Sequence, residues 1–210
     1  MQVLLVIAAT VVGYLLGSFP SGYLIGKLWG VDILRHHSGR TGGTNVFRVI
    51  GLIPALLTGA FDVGKGFLAA WLAGQISGLP LAQVLAGAAA ILGHNYSIAL
   101  RFRGGAGVGT SLGALTVIYW PAGVGLMVLL VLIIVTTRYA SVGSLTVLTL
   151  MPFLLLALYL TGTLAPIYIL YGVLAWIIIV NAHRSNIQRL RQGTERRLSS
   201  RNPAPPPPPS

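Results

Sequence analysis

The sequence predicts an all-α integral membrane protein with seven transmembrane helices, its N-terminus outside and its C-terminus cytoplasmic. Three observations point there. Of 210 residues, 55% are hydrophobic and only 8% charged, where a soluble domain carries about a quarter charged residues. The apolar residues gather in runs near the ~20 that a spanning helix needs. Among the connections between those runs, only alternate ones contain Lys or Arg, as cytoplasmic loops demand.

The runs are Val3–Trp29, Leu52–Ala73, Leu79–Ala99, Val108–Tyr119, Ala122–Thr136, Ser144–Leu160 and Leu164–Ala182. The first lacks a basic leader and continues too far for a cleavable signal peptide. The fourth and fifth are short and divided by Pro121, so they also read as one interrupted span, which gives six. Charge separates the two counts. Gln75–Pro80, Trp120–Pro121 and Thr161–Pro166 contain no Lys or Arg, whereas His36–Arg48, Arg101–Arg103, Arg138 and Arg184–Arg201 do. With seven spans, all the basic stretches share one side. Residues 1–198 read as a single polytopic domain. Residues 199–210, ending in a proline run, read as a disordered tail, and Arg196, Arg197 and Arg201 as a lipid-surface anchor.

The composition also limits function. Without cysteine there is no disulfide, thiolate metal site or cysteine nucleophile. A formal net charge of +11 in a membrane chain suits anionic head groups or an anionic substrate rather than nucleic acid.

Two basic loops carry the candidate chemistry. Ser38–Gly39–Arg40–Thr41–Gly42–Gly43–Thr44–Asn45 combines glycines with hydroxyls and an amide, and Arg48 follows. Glycines let successive backbone N–H groups face one anion, and a guanidinium matches a phosphate. A capped connecting loop with cytoplasmic arginines is the plainer reading. Arg103–Gly104–Gly105–Ala106–Gly107 then opens directly into an apolar helix, an arrangement that suits phosphate at a helix N-terminus. It lacks the Gly-Lys-Ser/Thr ending of a Walker loop. Asp62 and Lys65 stand i, i+3 within the second run, so they read as a buried ion pair or as substrate contacts. His94 and Asn95 end the third run, and His183 and Asn186 share a face at the end of the seventh. His36 and His37 read as solvated loop residues. No cluster has metal-ligand spacing.

These motifs, in this order, resemble the bacterial acyl-phosphate:glycerol-3-phosphate acyltransferases, the PlsY family, over nearly all of the chain to about Leu198. Gly17–Ser18–Phe19–Pro20–Ser21–Gly22–Tyr23 is similar to G-S-x-P-x-G-Y, and Ser38–Arg48 to S-G-N-x-G-x-T-N-x-x-R. Asp62, Lys65 and Gly66 fit D-x-x-K-G, and His94 and Asn95 lead to a loop similar to G-G-K-G-V-A-T. His183, Asn186, Arg189, Gly193, Thr194 and Glu195 fit the closing helix motif.

The resemblance implies acyl transfer from a fatty acyl-phosphate to the 1-hydroxyl of glycerol-3-phosphate, giving lysophosphatidic acid and phosphate at the cytoplasmic face of the bacterial cell membrane. It implies no cofactor, metal or acyl-CoA. The implied partners are both substrates, membrane lipids and the enzyme that makes the acyl-phosphate. By the same resemblance Ser38, His183 and Asn186 are catalytic. Arg48, Thr44, Asn45, Gly42, Gly104, Gly105 and Gly107 are implied to bind substrate, and Arg40 and Arg103 are expected to join them. Arg40 stands where the family has Asn, Ala106 where it has Lys, and Ser185 where many members have Glu. Arg40 or Arg103 is expected to supply the charge missing at Ala106. A diverged paralogue, a non-catalytic member and a small transporter built on Asp62 and Lys65 are the alternatives.

Overall fold

The computed structural model describes residues 1–198. It is all-helical among the described residues, apart from one isolated bridge between Ser97 and Arg103. Ten α-helices follow in order: α1 Gln2–Gly17, α2 Ser21–Leu28, α3 Gly43–Val49, α4 Leu52–Ser77, α5 Pro80–Asn95, α6 Val108–Ile118, α7 Trp120–Thr137, α8 Ala140–Leu160, α9 Ile167–Ala182 and α10 Arg184–Arg191. The proline tail lies outside the described residues.

Local chemistry sets the boundaries. Pro20 separates α1 from α2 within a single apolar run of 27 residues. Gly78 ends α4 in the left-handed region at φ 66°, and Pro80 then opens α5, since a first helical residue needs no N–H. The same rule places Pro121 inside the first turn of α7 rather than in a loop. Only Tyr119 separates α6 from α7.

The lengths differ from a uniform set of seven. Gln2–Leu28, Leu52–Ser77, Trp120–Thr137 and Ala140–Leu160 are each long and apolar enough to cross a bilayer, and α9 with α10 would make a fifth despite a 64° bend. α6 is apolar but has only 11 residues, and α5 has 16, so both are shorter than the four.

Small residues bring the helices together. On α1, Gly13 and Gly17 lie against Ala86 and Ala90 of α5, where any Cβ would strike the alanine carbonyls. Gly66 of α4 and Gly113 of α6 interlock in the same way with Thr110 and Val63. In a bilayer, where neighbouring lipid is as apolar as leucine, such close approach is what favours association. The core between α5, α6, α8 and α9 contains Leu112, Leu115, Leu148, Met151 and Ile179. Tyr171 is fully buried there and donates its hydroxyl to the Ser111 carbonyl at 2.7 Å. The outer surface is apolar, as Val11, Val128, Val135 and Phe153 show.

Gly17→Leu should force α1 from α5 and lower stability by roughly 1–3 kcal/mol. Thermal unfolding in detergent would show it as a lowered Tm; an unchanged Tm would mean that the α1–α5 contact is not close-packed.

Candidate active site

The basic stretches meet at one end of the bundle. The Thr41 N–H donates to the Gly104 carbonyl at 3.3 Å, joining the two glycine loops. Arg40 reaches across to the α9–α10 junction, donating to the Ala182 carbonyl and, at 3.2 Å, to Asn186 Oδ1. Arg48 Nη2 donates to the Arg196 carbonyl at 3.1 Å. The segment after Gly193 therefore lies across the α3 end. It is also tied to the α7–α8 turn, where the Leu198 N–H donates to the Arg138 carbonyl at 2.6 Å.

These groups surround a cavity of about 610 Å³. Its polar end is lined by Ser38, Arg40, Gly42, Thr44, Asn45, Arg48, Gly107, His183, Asn186, Arg189, Glu195 and Arg196. An apolar limb continues from it, lined by Leu56, Ala60, Val63, Val108, Leu112, Met127, Leu130, Val131 and Ile134 of α4, α6 and α7. Four arginines line the cavity against two carboxylates, Asp62 and Glu195, and leave the polar end positive. The cavity thus matches an amphiphile with an anionic head and a hydrocarbon chain.

Each polar residue has a definable task. Asn45, 2% exposed, holds the opening loop: its amide donates to the carbonyls of Ile33, His36 and Arg40 at 3.2, 3.2 and 2.8 Å. Its Oδ1 accepts the Ser38 N–H at 3.4 Å. With that amide engaged, Asn45 shapes the loop that presents Ser38. His183 is 4% exposed, with Nδ1 2.8 Å from the Ile179 carbonyl. A carbonyl only accepts, so Nδ1 carries the hydrogen and Nε2 keeps its lone pair. Arg48 Nε is buried with no hydrogen-bond partner among the described residues, a donor available to an anion.

Glu195 holds the junction together. Its side chain is 4% exposed. Oε1 accepts from Ser141 Oγ at 2.9 Å and Asn186 Nδ2 at 2.8 Å, while Oε2 accepts from Arg189 Nε at 2.8 Å. Burial works to raise its pKa, but the hydrogen bonds from Asn186, Ser141 and Arg189, with the Arg189 charge, outweigh burial and lower it. Burial lowers the pKa of Arg40, with Arg189 adding to the effect and Glu195 opposing it. An incoming anion would relieve that strain on charge.

Three expected substrate-binding residues are placed otherwise. Arg103 is exposed, and neither it nor Gly104 and Gly105 lines the cavity. The Gly105 N–H donates to the His94 carbonyl at 3.0 Å, so it is not free for a phosphate. Gly104 and Gly105 are glycines because a Cβ would strike the His94 carbonyl or the His94 ring. Gly107, at φ 82°, does line the cavity at the start of α6. Of the two arginines expected to replace a lysine at Ala106, Arg40 lines the cavity, as Ala106 does, and its guanidinium also serves the junction, whereas Arg103 does not line it.

Beneath the glycine loop lies a buried polar cluster. Asp62 Oδ1 accepts from Ser21 Oγ at 2.6 Å and pairs with Lys65 Nζ at 2.9 Å and His94 Nδ1 at 3.4 Å. Lys65 also donates to the Phe19 carbonyl at 3.2 Å. The ion pair read from the i, i+3 spacing is present. That His94 joins it, and that Asp62 and His94 both line the cavity, was not legible from spacing.

A family model described as "Glycerol-3-phosphate acyltransferase" matches residues 7–193. The chain belongs to the glycerol-3-phosphate acyltransferase family. It is 42% identical to a glycerol-3-phosphate acyltransferase of Symbiobacterium thermophilum over 193 residues, covering 91% of this chain and 94% of that protein. It is equally 42% identical to one of Thermus thermophilus over 196 residues, covering 90% and 92%. Its fold is similar to crystal structures of PlsY (YgiH), described as an integral membrane glycerol 3-phosphate acyltransferase. The glycerol 3-phosphate form aligns with a TM-score of 0.80 and 33% identity over 93% of this chain and 94% of that one. The lysophosphatidic acid form aligns at 0.81 and 31% over 91% and 94%. An acyltransferase of membrane phospholipid biosynthesis agrees with a cavity that has one charged and one hydrocarbon end.

The Glu195 carboxylate has a lowered folded-state pKa, so its stabilising contribution is full above the ordinary carboxylate value of 4.5 and is lost as pH falls through the folded value. As pH falls below the ordinary carboxylate range the Tm should fall, and Glu195→Gln should flatten part of that slope while lowering the Tm near neutrality. Equal slopes in both proteins would show that Glu195 does not hold the junction through its charge.

Proposed function

We propose that this chain transfers a fatty acyl group from acyl-phosphate to the 1-hydroxyl of glycerol-3-phosphate, giving lysophosphatidic acid and phosphate. The observation that carries this reading is the continuity of the cavity: a four-arginine head opens directly into a hydrocarbon-lined limb. The acyl chain lies in the limb between α4 and α7, and the phosphates lie among Ser38, Arg40, Arg48 and Arg189. Gly107 lets the backbone at the start of α6 approach an anion.

Acyl-phosphate is already activated, so the barrier lies in alignment and in stabilising the oxyanion. The hydroxyl oxygen attacks the acyl carbonyl carbon and forms the ester bond. The carbon–oxygen bond to phosphate breaks, and phosphate leaves with that electron pair and takes the hydroxyl proton. His183 Nε2, with its lone pair, and Asn186, steadied by Arg40 and Glu195, orient the acceptor. The site belongs at the cytoplasmic face of the bacterial cell membrane, with seven segments crossing: the α1–α2 run, then α4 to α9. The meeting of the basic stretches at one end supports that topology.

One observation favours a second reading. Ala106 lines the cavity and brings no charge to it, which suits a diverged or non-catalytic member binding another phosphorylated acceptor. Purified protein given glycerol-3-phosphate with palmitoyl-phosphate, and palmitoyl-CoA in parallel, separates the readings. Lysophosphatidic acid should form from palmitoyl-phosphate only, and Ser38→Ala or Arg48→Ala should lower kcat/KM by ~10²-fold or more. No product from folded protein would make the second reading the correct one.

Two further outcomes are expected. Arg40→Asn should be damaging, and Ala106→Lys added to it should restore activity if charge is what Arg40 supplies; a double variant no better than the single one would assign Arg40 to the junction alone. Because the chain contains no cysteine, single cysteines report topology directly. Thr163→Cys should label from outside intact cells and Arg103→Cys should not; labelling of both would overturn the seven-span arrangement.

A further inference from the structure

The position of Asp62 carries an inference that rests on the acyl-transfer reading and adds a residue to it. The chain has three carboxylates, Asp32, Asp62 and Glu195. Asp62 and Glu195 line the cavity. Both oxygens of Glu195 are taken by Ser141, Asn186 and Arg189. Asp62 differs: among the described residues, its contacts with Ser21, Lys65 and His94 all run to Oδ1.

Its neighbours fix where it stands. A Cβ on Gly109, in the first turn of α6, would lie 3.3 Å from Asp62 Cβ. Ala60 and Val63 of the apolar limb flank it on α4. Asp62 is therefore at the boundary between the anion-binding end and the hydrocarbon limb. An acyl-phosphate lying along this cavity must place its carbonyl at that boundary, because its chain is on one side and its phosphate on the other. A negative group there repels further phosphate and attracts a hydroxyl donor.

We propose that Asp62 Oδ2 accepts a hydrogen bond from the attacking hydroxyl of the phosphorylated acceptor and so aims its oxygen at the acyl carbonyl. The carboxylate is unchanged by turnover: the hydroxyl proton leaves on the departing phosphate, as above. Lys65 balances the charge, and Ser21 and His94 fix the carboxylate plane through Oδ1. A purely structural ion pair explains Oδ1; it does not explain a carboxylate on the cavity wall at the reacting position.

The first test uses the unaltered chain and the 1-amino analogue of glycerol-3-phosphate, which has an ammonium in place of the attacking hydroxyl. A carboxylate at that position holds the ammonium by a charge-assisted hydrogen bond, so the analogue should compete ~10-fold more tightly than glycerol-3-phosphate binds. Weaker binding than glycerol-3-phosphate, as four arginines would impose on an unmatched cation, would overturn the proposal.

The second test is the charge-balanced double variant Asp62→Asn with Lys65→Met. It should lose the preference for the analogue. Its kcat should fall by ~10²-fold with the KM for acyl-phosphate within about threefold, a split that general loss of structure does not produce. Wild-type kcat in the double variant would overturn the proposal, and if that variant does not fold, the analogue measurement decides. Turnover of glycerol-3-phosphate by the unaltered chain is scored separately: its absence counts against the acyl-transfer reading, whereas turnover with no ammonium preference counts against Asp62 alone.

Discussion

One carboxylate oxygen, Asp62 Oδ1, joins parts of the bundle that apolar packing alone would leave free to slide. Through Ser21 it reaches α2, through Lys65 the α1–α2 break at Phe19, and through His94 the end of α5. The His94 carbonyl in turn holds Gly105, and with it the loop that opens α6. A lone ionised group at membrane depth is costly, so each partner of Asp62 is held in place by the others. Hydrocarbon contacts between helices tolerate small shifts. A buried carboxylate with fixed donors does not, and it sets the register of α4, α5 and α6 around the cavity.

The polar end depends on that register without sharing its chemistry. Thr41 and Gly104 meet through their backbones, so the opening loop inherits its position from the loop that His94 supports. Asn45 then fixes Ser38, and Arg40 carries the connection to Asn186 and Glu195. Two consecutive supports, one buried and one at the surface, thus place arginines from distant parts of the chain around one anion-sized space.

Much of this was legible in the sequence, and the rest failed for identifiable reasons. The apolar runs and the break at Gly78 and Pro80 follow from residue chemistry, whereas the division of the first run at Pro20 was not read, because apolar residues continue on both sides of it. Nine of the twelve expected site residues line the cavity, because motifs rich in glycine, hydroxyl and arginine have few uses in an oily chain. The roles of Gly104 and Gly105 did not follow: a glycine that admits a phosphate and one that admits a histidine ring look alike in one dimension. The apolar limb was equally hidden. Met127, Leu130 and Ile134 sit on a helix that is apolar all round, so its cavity face and its lipid face share one composition. Glu195 was the available clue. With three carboxylates in a chain of net charge +11, each was bound to have a definite partner.

Apart from Gly107, the polar end is built from residues 38–48 and residues between 183 and 196, with most of the bundle between them in sequence. Synthesis runs from the N-terminus, so the arginines of the opening loop emerge long before Asn186, Glu195 and the carbonyl of Arg196 that Arg48 grasps. Until those residues are in place, the anion-binding end has no far wall. The side of the cavity that closes around an anion is therefore the last to be made.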